Sequence, residues 1–75
     1  MPSAYVLIRS DSGMEKEIID DLLEFDEIEE AELIYGEWDI IVKLKVDEIS
    51  QLGNFILENI RSIKGVKQTS TLIVT

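Results

Sequence analysis

The sequence contains no cysteine and no histidine. Without cysteine it can form neither a disulfide framework nor a thiolate metal site, and it offers no thiol nucleophile. Histidine is the most frequent general acid or base near neutral pH and the commonest protein ligand of transition metals. Its absence argues against most hydrolase and zinc chemistries. We therefore predict a protein with no catalytic residue, no metal site and no cofactor.

Basic residues and long apolar runs are also scarce. Seven lysines and arginines stand against sixteen acidic residues, so the formal net charge is −9. A surface of that sign cannot release counterions from a nucleic-acid backbone. No apolar run approaches the ~20 residues of a membrane span, and the first four residues have no basic region leading into an apolar signal core. These features predict a cytoplasmic protein with no direct contact to nucleic acid or membrane.

Six secondary-structure elements are predicted from hydrophobic periodicity and from capping and turn residues. They are a strand at 4–10, a helix ending near 25, strands at 31–35 and 38–46, a helix ending near 62, and a strand at 66–75. Ser12 and Glu15 have the spacing of a capping box for the first helix, and Asp47 is a plausible cap for the second. The order predicts a single α+β domain over residues 1–75, a ferredoxin-like βαββαβ fold with both helices on one face of a four-stranded antiparallel sheet.

The turn between the second and third strands fixes a predicted register. Gly36 and Glu37 suit a two-residue hairpin turn, which pairs Tyr35 with Trp38 and places Leu33 and Tyr35 on the face that receives the helices. The opposite face then carries Tyr5, Leu7, Ile34, Ile41 and Ile73. A domain this small rarely leaves so much apolar surface in water, and we predict a homodimer of the dimeric α+β barrel type, joined sheet to sheet or edge to edge.

Three landmarks give the chain a family resemblance. They are the turn Gly36-Glu37-Trp38-Asp39, the closing strand from Gly65 to Val74, in which a Gly-Val pair precedes alternating threonines, and the opening run Ala4 to Ile8. Together they resemble the effector domain, called the RAM domain, of the Lrp/AsnC transcriptional regulators over essentially the whole chain. The helix-turn-helix domain of those regulators has no counterpart in the 75 residues. The resemblance implies a free amino acid as effector, dimers that assemble into rings, and possible hetero-assembly with a full-length regulator.

The candidate effector site consists of six residues: Gly36, Glu37, Trp38, Asp39, Thr69 and Thr71. Backbone N–H groups of the turn can hold the carboxylate of an amino acid, and Asp39 can pair with its ammonium group. The threonines are expected on the same outer sheet face as Asp39. Plainer explanations exist, because tight turns prefer glycine and half-exposed strands favour threonine. Trp38 also has an ordinary packing explanation.

Two other functional classes fit parts of the sequence. A small dimeric ferredoxin-like enzyme, of the monooxygenase or isomerase type, would need polar catalytic groups inside a closed apolar pocket, and such groups are few here. An assembly protein that binds no ligand would show the same turn glycine and strand threonines. Ligand titration separates this last class from an amino-acid sensor.

Overall fold

The computed structural model describes residues 2–75. Its elements are β1 (Ser3–Ser10), α1 (Glu15–Leu22), β2 (Ile28–Leu33), β3 (Ile40–Lys45), α2 (Ser50–Phe55), a π-helical turn (Ile56–Ile60) that continues α2, and β4 (Val66–Ile73). The strands form one antiparallel sheet in the order β2-β3-β1-β4. This order confirms the predicted ferredoxin-like α+β fold.

The core lies between the sheet and the helices. Alternate residues of β1, namely Ala4, Val6 and Ile8, are completely buried, because β1 is a central strand and its side chains alternate between the two faces. The buried helix residues that pack with them in one apolar cluster are Ile18, Leu22, Leu52, Phe55, Ile56 and Ile60. Phe25 and Phe55 meet edge to face, with ring centres 5.6 Å apart. The helices thus cover the β1 face that carries Val6.

The face assignment predicted for β4 is wrong. Thr71 pairs with Val6 and Thr69 with Ile8, and residues directly opposite in an antiparallel ladder share a face. Thr69, Thr71 and Ile73 therefore lie on the helix face. Leu72 pairs with Tyr5 and takes the place on the outer face that had been predicted for Ile73.

The predicted caps of both helices are wrong. Helix α1 begins at Glu15 with no side-chain cap, because Gly13 adopts a positive φ of 85° and the Met14 N–H donates to the Asp11 carbonyl at 3.1 Å. This turn occupies the residues of the predicted capping box, and the helix ends at Leu22 rather than near 25.

Helix α2 begins at Ser50, three residues after the predicted cap Asp47, and no side chain caps it. The Glu48 N–H instead donates to Gln51 Oε1 at 3.0 Å, so a side chain of the first turn reaches back to satisfy a preceding donor. After Phe55 the helix loosens into the π-helical turn, in which the Arg61 N–H donates to the Ile56 carbonyl at 2.9 Å.

The β2–β3 ladder has the predicted register but a different turn. Leu33 pairs with Ile40 and Ala31 with Val42, as the predicted pairing of Tyr35 with Trp38 requires. The two strands nevertheless stop at Leu33 and restart at Ile40, so the connection contains six residues rather than two. Tyr35 is fully exposed instead of contributing to the core, and Leu33 is 61% exposed at the uncovered edge of the helix face.

The turn before β4 requires glycine for two reasons. Gly65 has a φ of +98°, which side chains with a Cβ rarely adopt, and a Cβ there would lie 3.0 Å from the Cβ of Met14. Its carbonyl accepts the Asp11 N–H at 2.7 Å. Gly65 thereby lets the turn before β4 approach the start of α1 closely.

Within residues 2–75, no helix is both long enough and apolar enough to cross a membrane.

Candidate functional site

The connection from Ile34 to Asp39 lies at the end of the sheet and is anchored to the central strand β1. The Asp39 N–H donates to the Ile8 carbonyl at 2.9 Å, and the Ile34 N–H donates to the Asp39 carbonyl at 2.9 Å. Both bonds extend the sheet ladders by one step beyond the ends of β2 and β3. We call residues 34–39 the effector loop.

The carboxylate of Asp39 is fixed by the last residue of β1. Asp39 Oδ2 accepts the backbone N–H of Ser10 at 2.9 Å and the Ser10 hydroxyl at 3.4 Å. Ser10 is only 8% exposed, so Asp39 satisfies a donor that water reaches poorly. The second oxygen, Oδ1, receives no hydrogen bond from residues 2–75. Asp39 is half-buried, and Ser10 fixes the orientation of its carboxylate. Its Oδ1 is available to accept a hydrogen bond from a ligand.

Arg9 holds the middle of the effector loop. Its Nε and Nη2 both donate to the Glu37 carbonyl, at 3.2 and 2.8 Å, and its guanidinium lies 5.2 Å from the centre of the Trp38 ring. That separation is within the range of a cation–π interaction. Sequence reasoning missed Arg9, although it is the only charged residue in β1, and an isolated charge in an apolar strand was the available signal.

A groove of about 440 Å³ lies beside the loop. Its walls are Glu15 at the start of α1, Leu33, Ile34, Tyr35 and Asp39. It therefore combines two carboxylates with an aliphatic and aromatic surface. Glu15 had been predicted only as a helix-capping residue, because its place beside this groove depends on how α1 packs on the sheet.

The loop offers unpaired backbone donors. The N–H groups of Gly36, Glu37 and Trp38 donate to no backbone or side-chain acceptor within residues 2–75. Gly36 has a φ of +146°, and a Cβ placed on it would have no neighbour within 4 Å. The glycine is thus required by the backbone conformation and not by a close contact. These three donors are therefore available to an acceptor from outside residues 2–75.

The six predicted site residues fall into two separate groups. Gly36, Glu37, Trp38 and Asp39 lie together in the effector loop, as their adjacency requires. Thr69 and Thr71 lie on β4, at the opposite edge of the sheet from β2 and on its helix face. No hydrogen bond within residues 2–75 joins either threonine side chain to the loop.

The part of the chain that the structure describes contains no candidate metal site. Within residues 2–75, no three Asp, Glu, Cys or His side chains are grouped so that they could hold a metal ion. The two carboxylates of the groove, Glu15 and Asp39, suit an ammonium group better than a divalent cation, because a hard cation requires six or more oxygen ligands.

Comparison with known proteins assigns the domain type. The family model of the Lrp/AsnC ligand binding domain matches residues 3–75. The uncharacterized HTH-type transcriptional regulator PF0250 of Pyrococcus furiosus is 36% identical over 74 residues, which cover 95% of this chain and 49% of that protein. The chain thus spans about half the length of the curated relatives it matches.

Solved structures agree with the fold. The crystal structure of FFRP-DM1 is 39% identical, with a TM-score of 0.96 and 100% coverage of both chains. Escherichia coli AsnC is 26% identical, with a TM-score of 0.90, 97% of this chain and 50% of AsnC being covered. The Neisseria meningitidis transcriptional regulator NMB0573, solved as a complex with L-Met, shares the fold at 17% identity and a TM-score of 0.84, over 99% of this chain and 49% of the regulator. The chain belongs to the Lrp/AsnC family and forms its ligand-binding domain.

Proposed function

We propose that this chain is a non-catalytic module that binds a free amino acid at the effector loop and assembles with other copies, and that it takes part in transcription regulation. The observation that carries the proposal is the hydrogen bonding of the Asp39 carboxylate. Its carboxylate is oriented by Ser10, and its second oxygen receives no hydrogen bond from residues 2–75 beside a groove with aliphatic walls.

The groove and the loop match the chemistry of a free amino acid. Asp39 and Glu15 supply negative charge for the α-ammonium group, and a charge-assisted hydrogen bond is about twice as strong as a neutral one. The free N–H groups from Gly36 to Trp38 supply donors for the α-carboxylate. Leu33 and Ile34 are left to contact the side chain.

The family supports the regulatory part of the proposal. The relatives with this domain are HTH-type transcriptional regulators, and one protein of the same fold was solved with L-Met. The net charge of −9 disfavours DNA contact by this domain. In our proposal, an effect on transcription passes through assembly with a regulator that carries a DNA-binding domain.

Thr69 and Thr71 enter this proposal only through a neighbouring copy. They lie on β4, one strand beyond the β1 residues that hold the effector loop of their own chain, and make no hydrogen bond to that loop within residues 2–75. An assembly in which β4 of one copy approaches the loop of another would complete the six-residue site. In that case a Thr71→Val variant has weaker amino-acid binding than the wild type, whereas a site confined to one chain is unaffected.

Calorimetric titration with each of the twenty amino acids tests the proposal. Asp39→Asn keeps an oxygen acceptor for the Ser10 N–H but removes the charge, so it should raise the Kd roughly 10- to 100-fold, equivalent to about 1–3 kcal/mol. Asp20→Asn is the matched control, because it makes the same change on an exposed residue of α1 that does not line the groove. The melting temperatures of both variants without ligand should stay near that of the wild type.

Two results would contradict the proposal in different ways. Equal affinity of Asp39→Asn and the wild type would remove Asp39 from the site. If no amino acid binds the wild type, the effector part fails and a ligand-free assembly protein becomes the better description.

A further inference from the structure

A second groove lies between the edge strand β4 and the helical segment formed by α2 and its π-helical turn. It has a volume of about 250 Å³. Its floor contains Leu52 and Ile56, which are 4% and 7% exposed, and Thr71 and Ile73 of β4 form one wall. None of its lining residues belongs to the effector loop or to its groove.

The rim of this groove exposes three large aliphatic side chains. Ile49, Leu57 and Ile73 are 57%, 56% and 48% exposed. Burying such side chains from water is worth roughly 25 cal/mol per Å² of apolar surface. An apolar group that enters the groove therefore gains contact with both the floor and the rim.

The helix departs from an ideal α-helix at this groove in two independent ways. Gly53 lies inside α2, where glycine costs about 1 kcal/mol relative to alanine, and a Cβ built on it would meet nothing within 4 Å. The wall of the groove is thus open at Gly53, where any other residue would project a side chain. The π-helical turn follows directly, and such turns occur frequently at functional sites.

Two of the residues that line the groove are polar, and one of them is positively charged. They are Arg61 and Thr71, and the Arg61 guanidinium makes no ion pair or hydrogen bond with residues 2–75. No acidic residue lines the groove, although the chain as a whole carries a net charge of −9. Arg61 is therefore the single charged residue in the lining of this groove.

We propose that this groove binds a short aliphatic monocarboxylate, with its tail on Leu52 and Ile56 and its carboxylate at Arg61 and Thr71. Arginine pairs with a carboxylate through two parallel hydrogen bonds, which gives the ligand an orientation. A packed non-hydrogen atom occupies somewhat less than the ~30 Å³ of a water in the liquid, so about ten such atoms fit. The groove is smaller than the pockets of roughly 300–1,000 Å³ that hold drug-sized ligands.

NMR titration of the isotope-labelled full chain with hexanoate tests this proposal. Amide signals of Gly53, Leu57, Arg61 and Thr71 should shift in a saturable manner, with a Kd on the order of 0.1–10 mM for a ligand of this size. Hexanol and hexylamine have the same chain length without the negative charge, and both should bind at least about tenfold more weakly. Equal shifts with all three compounds would overturn the role of Arg61.

Two variants and one control sharpen the test. Gly53→Leu projects a side chain into the groove, and Arg61→Gln removes its charge, so each should weaken hexanoate binding about tenfold or more while the remaining amide signals keep the dispersion of a folded chain. Lys16→Gln removes a positive charge from exposed α1 and should leave binding unchanged. Unchanged hexanoate affinity in both groove variants would refute the assignment.

Within one chain, the second groove shares no residue with the effector loop or its groove, and Thr71 is common to both sites only if a neighbouring copy brings its β4 to the loop. Asp39→Asn should leave hexanoate binding unchanged, and Arg61→Gln should leave amino-acid binding unchanged, so that failure of one site is distinguishable from failure of the other. If the signals of Ile49, Leu57 and Ile73 shift with protein concentration in the absence of hexanoate, a second copy covers the groove and the carboxylate proposal is wrong.

Discussion

The guanidinium of Arg9 lies 5.2 Å from the centre of the Trp38 ring, while two of its nitrogens donate to the Glu37 carbonyl. One side chain of the central strand therefore restrains two consecutive residues of the effector loop. Ser10, its neighbour, fixes Asp39 through the backbone N–H. The end of β1 thus determines the shape of a loop that is about 30 residues away in sequence.

Replacing Arg9 should loosen the loop without unfolding the domain. Arg9→Gln removes the cation–π contact and at least one of the two hydrogen bonds, and an exposed cation–π contact is worth about 0.5–1 kcal/mol. Because Trp38 is the only tryptophan, its fluorescence reports on the loop directly. We expect a red-shifted emission, stronger quenching by acrylamide and weaker amino-acid binding.

Arg61→Gln is the control for this measurement, because the other arginine lies in the groove beside β4 and not near Trp38. Its emission spectrum should match that of the wild type. An unchanged spectrum and unchanged quenching in Arg9→Gln would mean that Arg9 does not hold the loop in solution.

The effector loop shows what the sequence could predict and what it could not. The pairing of Leu33 with Ile40 followed from the alternation of apolar residues around Gly36. The prediction of a two-residue turn was wrong, because Arg9 and Ser10, which are distant in sequence, form hydrogen bonds with Glu37 and Asp39 of a longer loop. Local turn preferences contain no information about such partners.

The face assignment predicted for β4 was wrong for another reason. Its two alternating sets of residues both mix hydroxyl and aliphatic side chains, so the pattern does not indicate which set faces the helices. The ladder with β1 also contains an irregularity at Arg9 and Ser10, which shifts the register near the start of β4. The groove beside Thr71 consequently could not be predicted.

Two glycines in the second half of the chain should respond to alanine in opposite directions. Gly65→Ala places a Cβ 3.0 Å from the Cβ of Met14 at a φ of +98°, and we expect the free energy of unfolding to fall by about 1–3 kcal/mol. Gly53→Ala has open space and a helical backbone, and we expect a rise of about 0.5–1 kcal/mol. Urea denaturation of the two variants and the wild type measures both changes. Destabilisation by Gly53→Ala comparable to that by Gly65→Ala would contradict this account.

The outer face of the sheet should mediate self-association. Tyr5, Leu7 and Ile41 are half-buried there, and Leu72 beside Tyr5 is 52% exposed. Leu7 pairs with Ile41 at the centre of this surface. A surface of this kind on a domain of 75 residues is a typical subunit interface, because so small a domain cannot bury it alone.

Leu7→Lys should therefore dissociate the protein, because it would bury an unpaired charge at the centre of the interface. Light scattering at micromolar concentration should give the wild type at least twice the 8.6 kDa of one chain, and Leu7→Lys close to that single mass. Leu23→Lys is the matched control, since Leu23 is 52% exposed at the end of α1 on the helix side of the sheet. It should keep the assembled mass. A monomeric wild type would exclude the interface, and dissociation by both variants would show that the association does not depend on the outer face.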